Sequence, residues 1–248
     1  NLKAWRTEKQ LTEDDRWKGY ATPPVGNANY AWILHMLSHL SYDGTAAFLL
    51  ANGALNAGVE GEAEYEIRKK LIQDNKVEAI IVLPRDMFYA TDISVTLWLC
   101  GNHKKAKKVR RNGTEVMLRN RENEILFIDA REMGDNGAND DGFTLLPEES
   151  KERIINTVFA WQSEDYRTYY HNIPEFCYSA TIQEIKKRNY ALSPSKYIKF
   201  VNSDNDIDYQ KEMLSLQKEL TQLSQKMKEG QFALAKAMEE IGYAIDKS

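Results

Sequence analysis

The apolar positions of this chain change period along its length. After Pro23-Pro24, residues Trp32, Ile33, Met36, Leu37 and Leu40 recur at steps of one, three and four, which predicts a helix ending before the Asp43-Gly44 turn. Three short, almost wholly apolar runs follow: TAAFLLA (45–51), VEAIIVLP (77–84) and ISVTLWLCG (93–101). Runs of this kind suit strands buried on both faces of a sheet. GEAEYEIRKKLIQDN, between the first two, places acids early and bases late and reads as a helix whose charges suit its dipole. Only about nine residues join the second run to the third, too few for a helical crossover, so these strands are expected to be antiparallel. NEILFIDAREMG (123–134) supplies another strand and DNGANDDG a loop. Residues 147–162 and 164–171 read as helices, and IQEIKKRNYALSPSKY as a helix that breaks near Pro194. The expected fold is three-layer α/β with an edge closed by a hairpin.

The tail follows another rule. From Met213 the apolar positions fall at 213, 216, 220, 223, 227, 234, 237, 241 and 244, with Gly230 in the gap. That is a heptad seam of about four repeats, roughly 48 Å long. Leu216, Leu220 and Leu223 make its first half adhesive, whereas Ala237 and Ala244 leave the second half weak. Such a seam needs a partner surface.

Composition narrows the picture only a little. A hydrophobic share of 42% supports a core, and a net charge of −4 announces no polyanion partner, so any nucleic-acid contact rests on local patches. Cys100 and Cys177 stand far apart and form no CxxC pair, as expected of a reduced, cytoplasmic protein. No apolar run approaches the ~18 residues of a membrane span. The opening NLKAWRTEKQ lacks a signal-peptide core, and the absence of an initiator Met points to a fragment.

Thr22-Pro23-Pro24-Val25 invites comparison with the loop that methylates an exocyclic amine on a DNA base. That amine is a poor nucleophile because its lone pair is delocalised into the ring. Enzymes of this class flip the base out and accept hydrogen bonds from both amine protons, using an Asn or Asp oxygen and a proline carbonyl, while an aromatic ring stacks on the base. Thr22 lacks the amide oxygen, Val25 cannot stack, and the preceding DDRWKGYA is no apolar strand. The expectation is a rigid turn. His35 and His39 are spaced like helix-borne metal ligands, but Met36 stands where a metalloprotease motif has Glu, and no third ligand is evident. Asp135 to Asp141 misses calcium-loop spacing.

The neighbours of the turn carry more. DDRWKGYATPPVGNANYAWILHMLSHLSYDGTAAFLLANGAL, EYEIRKKLIQ, IIVLPRDMFYATDISVTLWL, ILFIDAREMG and NYALSPSKY occur in an order that closely resembles the modification subunit of type I restriction–modification systems. Those are S-adenosylmethionine-dependent adenine-N6 DNA methyltransferases. The resemblance runs from residue 1 to about 201. It implies that Asn1 directly follows the family's Asn-Pro-Pro-Phe, and that the Gly-rich donor loop lies earlier still. On this view the chain is the carboxyl-terminal part of a Rossmann-like methyltransferase sheet with an antiparallel edge hairpin, then a helical region and a long C-terminal helix. The expected division is 1–135 for the catalytic-domain part, 136–203 for a helical extension and 204–248 for a docking helix. No catalytic residue and no S-adenosylmethionine site is expected within it.

The resemblance also nominates residues. Phe88 matches the loop bordering the target-base pocket, where its ring either stacks on a flipped adenine or packs under the sheet edge; Tyr89 is the second candidate. Asn27, Asn29 and Tyr30 open the helix either as caps or as pocket- or DNA-facing groups. Asn52 lies at a strand's carboxyl end, where open α/β sheets bind ligands, with a turn role as the alternative. Lys104, Lys105, Lys107, Lys108, Arg110 and Arg111 are either phosphate contacts or a solvated hairpin loop. Expected partners are DNA, the specificity subunit through the C-terminal helix, and a restriction subunit, with no membrane. An unpaired edge at TAAFLLA predicts self-association. Two further readings stand beside the enzyme: a non-catalytic assembly module that binds the specificity subunit, and an unrelated α/β scaffold.

Overall fold

The computed structural model describes residues 4–88, 92–111, 113–135, 143–200, 209–240 and 242–243. Two units divide the chain, residues 1–200 and 201–248. In the first, a five-stranded sheet runs in the order β1-β3-β2-β6-β7, and a separate hairpin pairs β4 with β5. The strands are β1 (Thr45–Ala51), β2 (Val77–Val82), β3 (Val95–Gly101), β4 (Lys107–Arg111), β5 (Thr114–Leu118), β6 (Glu124–Asp129) and β7 (Cys177–Thr181).

The expected antiparallel pair is present: β2 pairs with β3, and β3 pairs on its other side with β1, from Thr45 opposite Gly101 to Ala51 opposite Val95. β2 and β6 run parallel, while β7 returns antiparallel to β6. Alternation along β2 splits the core. Val77, Ile80 and Val82 face one side, packed with α1 (Asn29–Ser38), α2 (Ala63–Gln73) and α5 (Ile182–Lys187); Ala79 and Ile81 face α3 (Glu148–Gln162). Helix, sheet and helix make the three expected layers. A short helix, α4 (Tyr166–Tyr169), follows α3.

Three expectations are corrected. β1 is not buried on both faces: it is an edge strand in which only Phe48 is buried, and Leu49 is exposed. Its apolar run reflects one packed face and one bare one. The buried stripe of α1 is Tyr30, Ile33, Leu34 and Leu37, and Trp32 lies outside it at 55% exposure. Segment 136–203 is not purely helical, because β7 joins the sheet, and α5 ends at Lys187, well before Pro194. Thr181 caps α5: its hydroxyl accepts from the Glu184 amide while the Glu184 carboxylate accepts from the Thr181 amide.

The hairpin is rooted by buried charge. The Arg121 amide donates to the Lys104 carbonyl (2.8 Å), closing its foot. The Arg121 guanidinium, 2% exposed, donates to Glu78 Oε1 at 2.6 Å, and Gln162 Nε2 reaches the same oxygen at 2.9 Å. Beside it, Arg119 pairs with Glu124 (2.8 Å) and donates to the Trp161 carbonyl (2.7 Å).

The second unit is α6 (Tyr209–Glu240). Met213, Leu216, Leu220, Leu223, Met227 and Leu234 of the predicted seam are all exposed on it. Expectations for positions 241 and 244 lie outside the described residues.

Removing one partner of the buried Glu78–Arg121 pair strands a charge. Glu78→Met is expected to cost about 3–5 kcal/mol in urea unfolding, and Glu78→Met with Arg121→Met to recover much of that loss. A double variant no more stable than the single one counts against the pairing.

Candidate active-site edge

β1, β2 and β6 all point the same way, so their carboxyl ends, Ala51, Val82 and Asp129, share one edge of the sheet. The loops leaving that edge carry several of the nominated residues. Asn52 begins a short 3-10 turn (Asn52–Leu55), and its Oδ1 accepts from the hydroxyl of the buried Thr96 on β3. Phe88 sits in the β2–β3 loop. The base of that loop is closed by Ser94 Oγ donating to the Leu83 carbonyl (2.6 Å), and Arg85 pairs with Asp92 across it (3.2 Å). Phe88 is 37% exposed. Tyr89 lies outside the described residues.

Asn27 belongs to the same edge, since its Nδ2 reaches Glu64 in the first turn of α2 (3.5 Å), and α2 follows β1. Asn27 Oδ1 accepts from the Asn29 amide (3.1 Å), an Asx turn leading into the helix whose cap position is Ala28. Tyr30 is not a pocket- or DNA-facing group. It is fully buried, its hydroxyl donates to the Ala54 carbonyl (2.6 Å), and it receives Arg68 Nη1 at 3.2 Å. Arg68 also donates to the carbonyls of Ala57 and Tyr190. The pair is a post that holds the 52–57 loop, and burial raises the Tyr30 phenol above its ordinary range.

One edge residue was missed by sequence reasoning. Asp129, 8% exposed at the carboxyl end of β6, takes a two-pronged bond from Arg131 (2.5 and 2.9 Å). The FIDAR stretch held the signal: an acid closing an apolar strand, with a base two residues on.

The basic run lies elsewhere. The hairpin leaves β3 at Gly101, opposite Thr45 at the start of β1, so it stands at the other edge of the sheet. A seven-residue strand separates the edges by about 20 Å. The run is a strand and its approach, not a loop. Lys104 is corrected out of the phosphate-contact set: it is 2% exposed, and its ammonium donates to the carbonyls of Val77 (2.9 Å) and Glu124. Lys107 turns to Asp43, and Arg111 lies over the Phe159 ring (3.9 Å) and donates to Gln162. Lys105, Lys108 and Arg110 face solvent; Lys108 pairs with Glu115 at 3.2 Å.

Thr22-Pro23-Pro24 is a turn, as expected. The Pro23 carbonyl already accepts from Arg6 Nη2 (2.8 Å) and the Pro24 carbonyl from Trp5 Nε1 (2.7 Å), so neither is offered to a substrate amine. The rings of His35 and His39 lie 4.4 Å apart, and Arg16 reaches His35 Nδ1 (3.2 Å). No group of His, Cys, Asp or Glu suited to a metal occurs among the described residues.

A solved structure shares this fold. A type I restriction–modification methyltransferase subunit from Streptococcus thermophilus superposes with a TM-score of 0.61 at 26% identity, over 79% of this chain and 36% of that one. Residues 1–206 match the N-6 DNA methylase family, and the chain belongs to it. It is 35% identical to the HindI methylase subunit of Haemophilus influenzae, over 98% of this chain and 50% of the relative. It is 31% identical to the MjaIX methylase subunit of Methanocaldococcus jannaschii, over 90% and 37%. The chain thus spans half or less of the length of these relatives. No helix among the described residues is long and apolar enough to cross a membrane.

Burial lowers the Lys104 ammonium from 10.5 to about 8. Between those values the unfolded chain holds a proton that the folded chain has released, so this group adds stability as pH rises. Cys100, whose thiol burial pushes up to about 12, acts in the opposite sense but is common to both proteins in a comparison. The parent chain is expected to gain stability relative to Lys104→Met as pH rises from about 8 towards 10. A difference that is flat with pH, by urea unfolding, overturns the assignment.

Proposed function

We propose that this chain is the target-base side and docking arm of a type I modification subunit, which transfers a methyl group from S-adenosylmethionine to adenine N6 in DNA. The observation that carries this reading is the 35% identity to a type I methylase subunit across 98% of the chain. The carboxyl-edge placement of Asn27, Asn52 and Phe88 supports it. In this reading Phe88 stacks on the flipped adenine, while Asn27, Asn29 and Asn52 shape the rim. Donor grip and amine activation belong to the polypeptide that the relatives carry beyond this match. S-adenosylmethionine is therefore needed by the whole enzyme and is not held by this chain alone. The functional parts are 1–135 as catalytic-domain portion, 136–203 as extension and 204–248 as docking helix.

The exposed heptad stripe of α6 supports docking on a specificity subunit, the chain that would read the DNA sequence. The edge position of β1, unpaired on one side among the described residues, supports self-association of this chain.

The test is reconstitution. This chain, the complementary half of the HindI relative and a specificity subunit are combined with labelled S-adenosylmethionine and cognate DNA. Methyl transfer to adenine N6 is expected only with all three, and Phe88→Ala is expected to lower kcat/KM by about 5- to 100-fold. Stoichiometric donor binding by this chain alone, read by calorimetry, refutes the division of labour.

The exposed cations of the hairpin act on affinity, not chemistry. Replacing Lys108 and Arg110 by Gln is expected to reduce the salt slope of DNA binding by about 2 and to leave methyl transfer at saturating DNA unchanged. An unchanged slope removes the hairpin from the DNA contact.

A further inference from the structure

A cavity of about 530 Å³ opens between the 4–28 segment and the outer side of α1, a volume typical of small-ligand sites. Its wall contains three of the chain's five tryptophans, Trp5, Trp17 and Trp32. Trp5 and Trp17 meet edge to face (6.1 Å, 90°), each pinned by its indole nitrogen, to the Pro24 carbonyl (2.7 Å) and the Leu11 carbonyl (2.9 Å). Trp32 stands edge-on to His35 and is 55% exposed. Packing of the helix does not explain an exposed indole beside a cavity.

The polar groups sort themselves. Arg16 is held by both oxygens of Asp14 (2.7 Å each), so its charge is compensated and the cavity is not built for an anion. The side-chain amide of Asn29 and the indole nitrogen of Trp32 have no partner among the described residues. Trp17 is 3% exposed with Arg16 over its ring, so what remains on offer is the Trp32 ring and the half-buried Trp5, with a few hydrogen-bonding groups at the border. A nucleobase has that complementary form: two aromatic faces and an edge of donors and acceptors. Neither Asn52 nor Phe88 lines this cavity, whereas Asn27 and Asn29 do, so it shares that border with the rim assigned to the Phe88 site.

We propose that the Trp5–Trp17–Trp32 cavity takes one unpaired base of DNA, a second base site beside the one assigned to Phe88. The source of the base rests on the methyltransferase reading; the chemistry of the cavity does not. The test therefore uses no methyl transfer. The ¹⁵N chain is titrated with dAMP and, separately, with 2-deoxyribose 5-phosphate, and the five indole N–H resonances are followed. The buried Trp98 and Trp161 serve as internal references. The expected result is that dAMP moves the Trp32 and Trp5 signals while the sugar phosphate does not. Trp32→Ala, at a largely exposed position that leaves the core intact, is expected to weaken dAMP binding about fivefold or more. Equal shifts from the sugar phosphate, no shift from dAMP, or unaltered affinity in Trp32→Ala overturns the site. Failed reconstitution of methyl transfer with these shifts present would instead overturn only the reading under which the base comes from DNA.

Discussion

Everything in the first unit follows from one antiparallel strand inserted between two parallel ones. β3 pairs with β1 on one side and β2 on the other, and it runs against both. Because β1, β2 and β6 keep a common direction, their outgoing loops converge on one edge, and the chain leaving β3 is sent to the other. Asn52, Phe88 and Asp129 are gathered by this rule, and the basic hairpin is excluded by it. The chemistry of the chain is thereby divided in space before any side chain is considered.

Within that frame, buried polar groups do the positioning. Tyr30 and Arg68 hold the loop after β1 by bonding to two of its backbone carbonyls, Ala54 and Ala57, and Arg68 ties that loop to the Tyr190 carbonyl beyond α5, which satisfies acceptors that a buried loop would otherwise leave unpaired. Glu78, Arg121 and Gln162 fix the hairpin foot by bonds among their own side chains, with Glu78 accepting from the other two. Such groups add little net stability over apolar substitutes, but each is costly to unpair, so they specify one arrangement.

The sheet was largely legible in the sequence and the side-chain roles less so. The short link between VEAIIVLP and ISVTLWLCG dictated their antiparallel pairing, and the Gly- and Pro-bounded apolar runs placed four strands. β7 escaped because Cys177-Tyr178-Ser179-Ala180-Thr181 is mostly small and polar, and among the described residues it pairs in a ladder with β6 alone. Trp32 was assigned to the buried face of α1 because periodicity gives a stripe but not which neighbouring stripe meets the sheet. Lys104 looked like its neighbours because a sequence does not show which cation of a run turns inward to backbone carbonyls. Tyr30 resembled a surface group for the same reason: its acceptor, Ala54, is distant in sequence.

The closed foot of the hairpin has a wider meaning. With the Arg121 amide on the Lys104 carbonyl and both side chains anchored below, the root is defined independently of what lies beyond it. Changes of length or charge at the far end therefore leave the strand register of the root undisturbed. The hairpin's reach and surface charge are thus structurally uncoupled from the sheet edge that carries Asn52, Phe88 and Asp129.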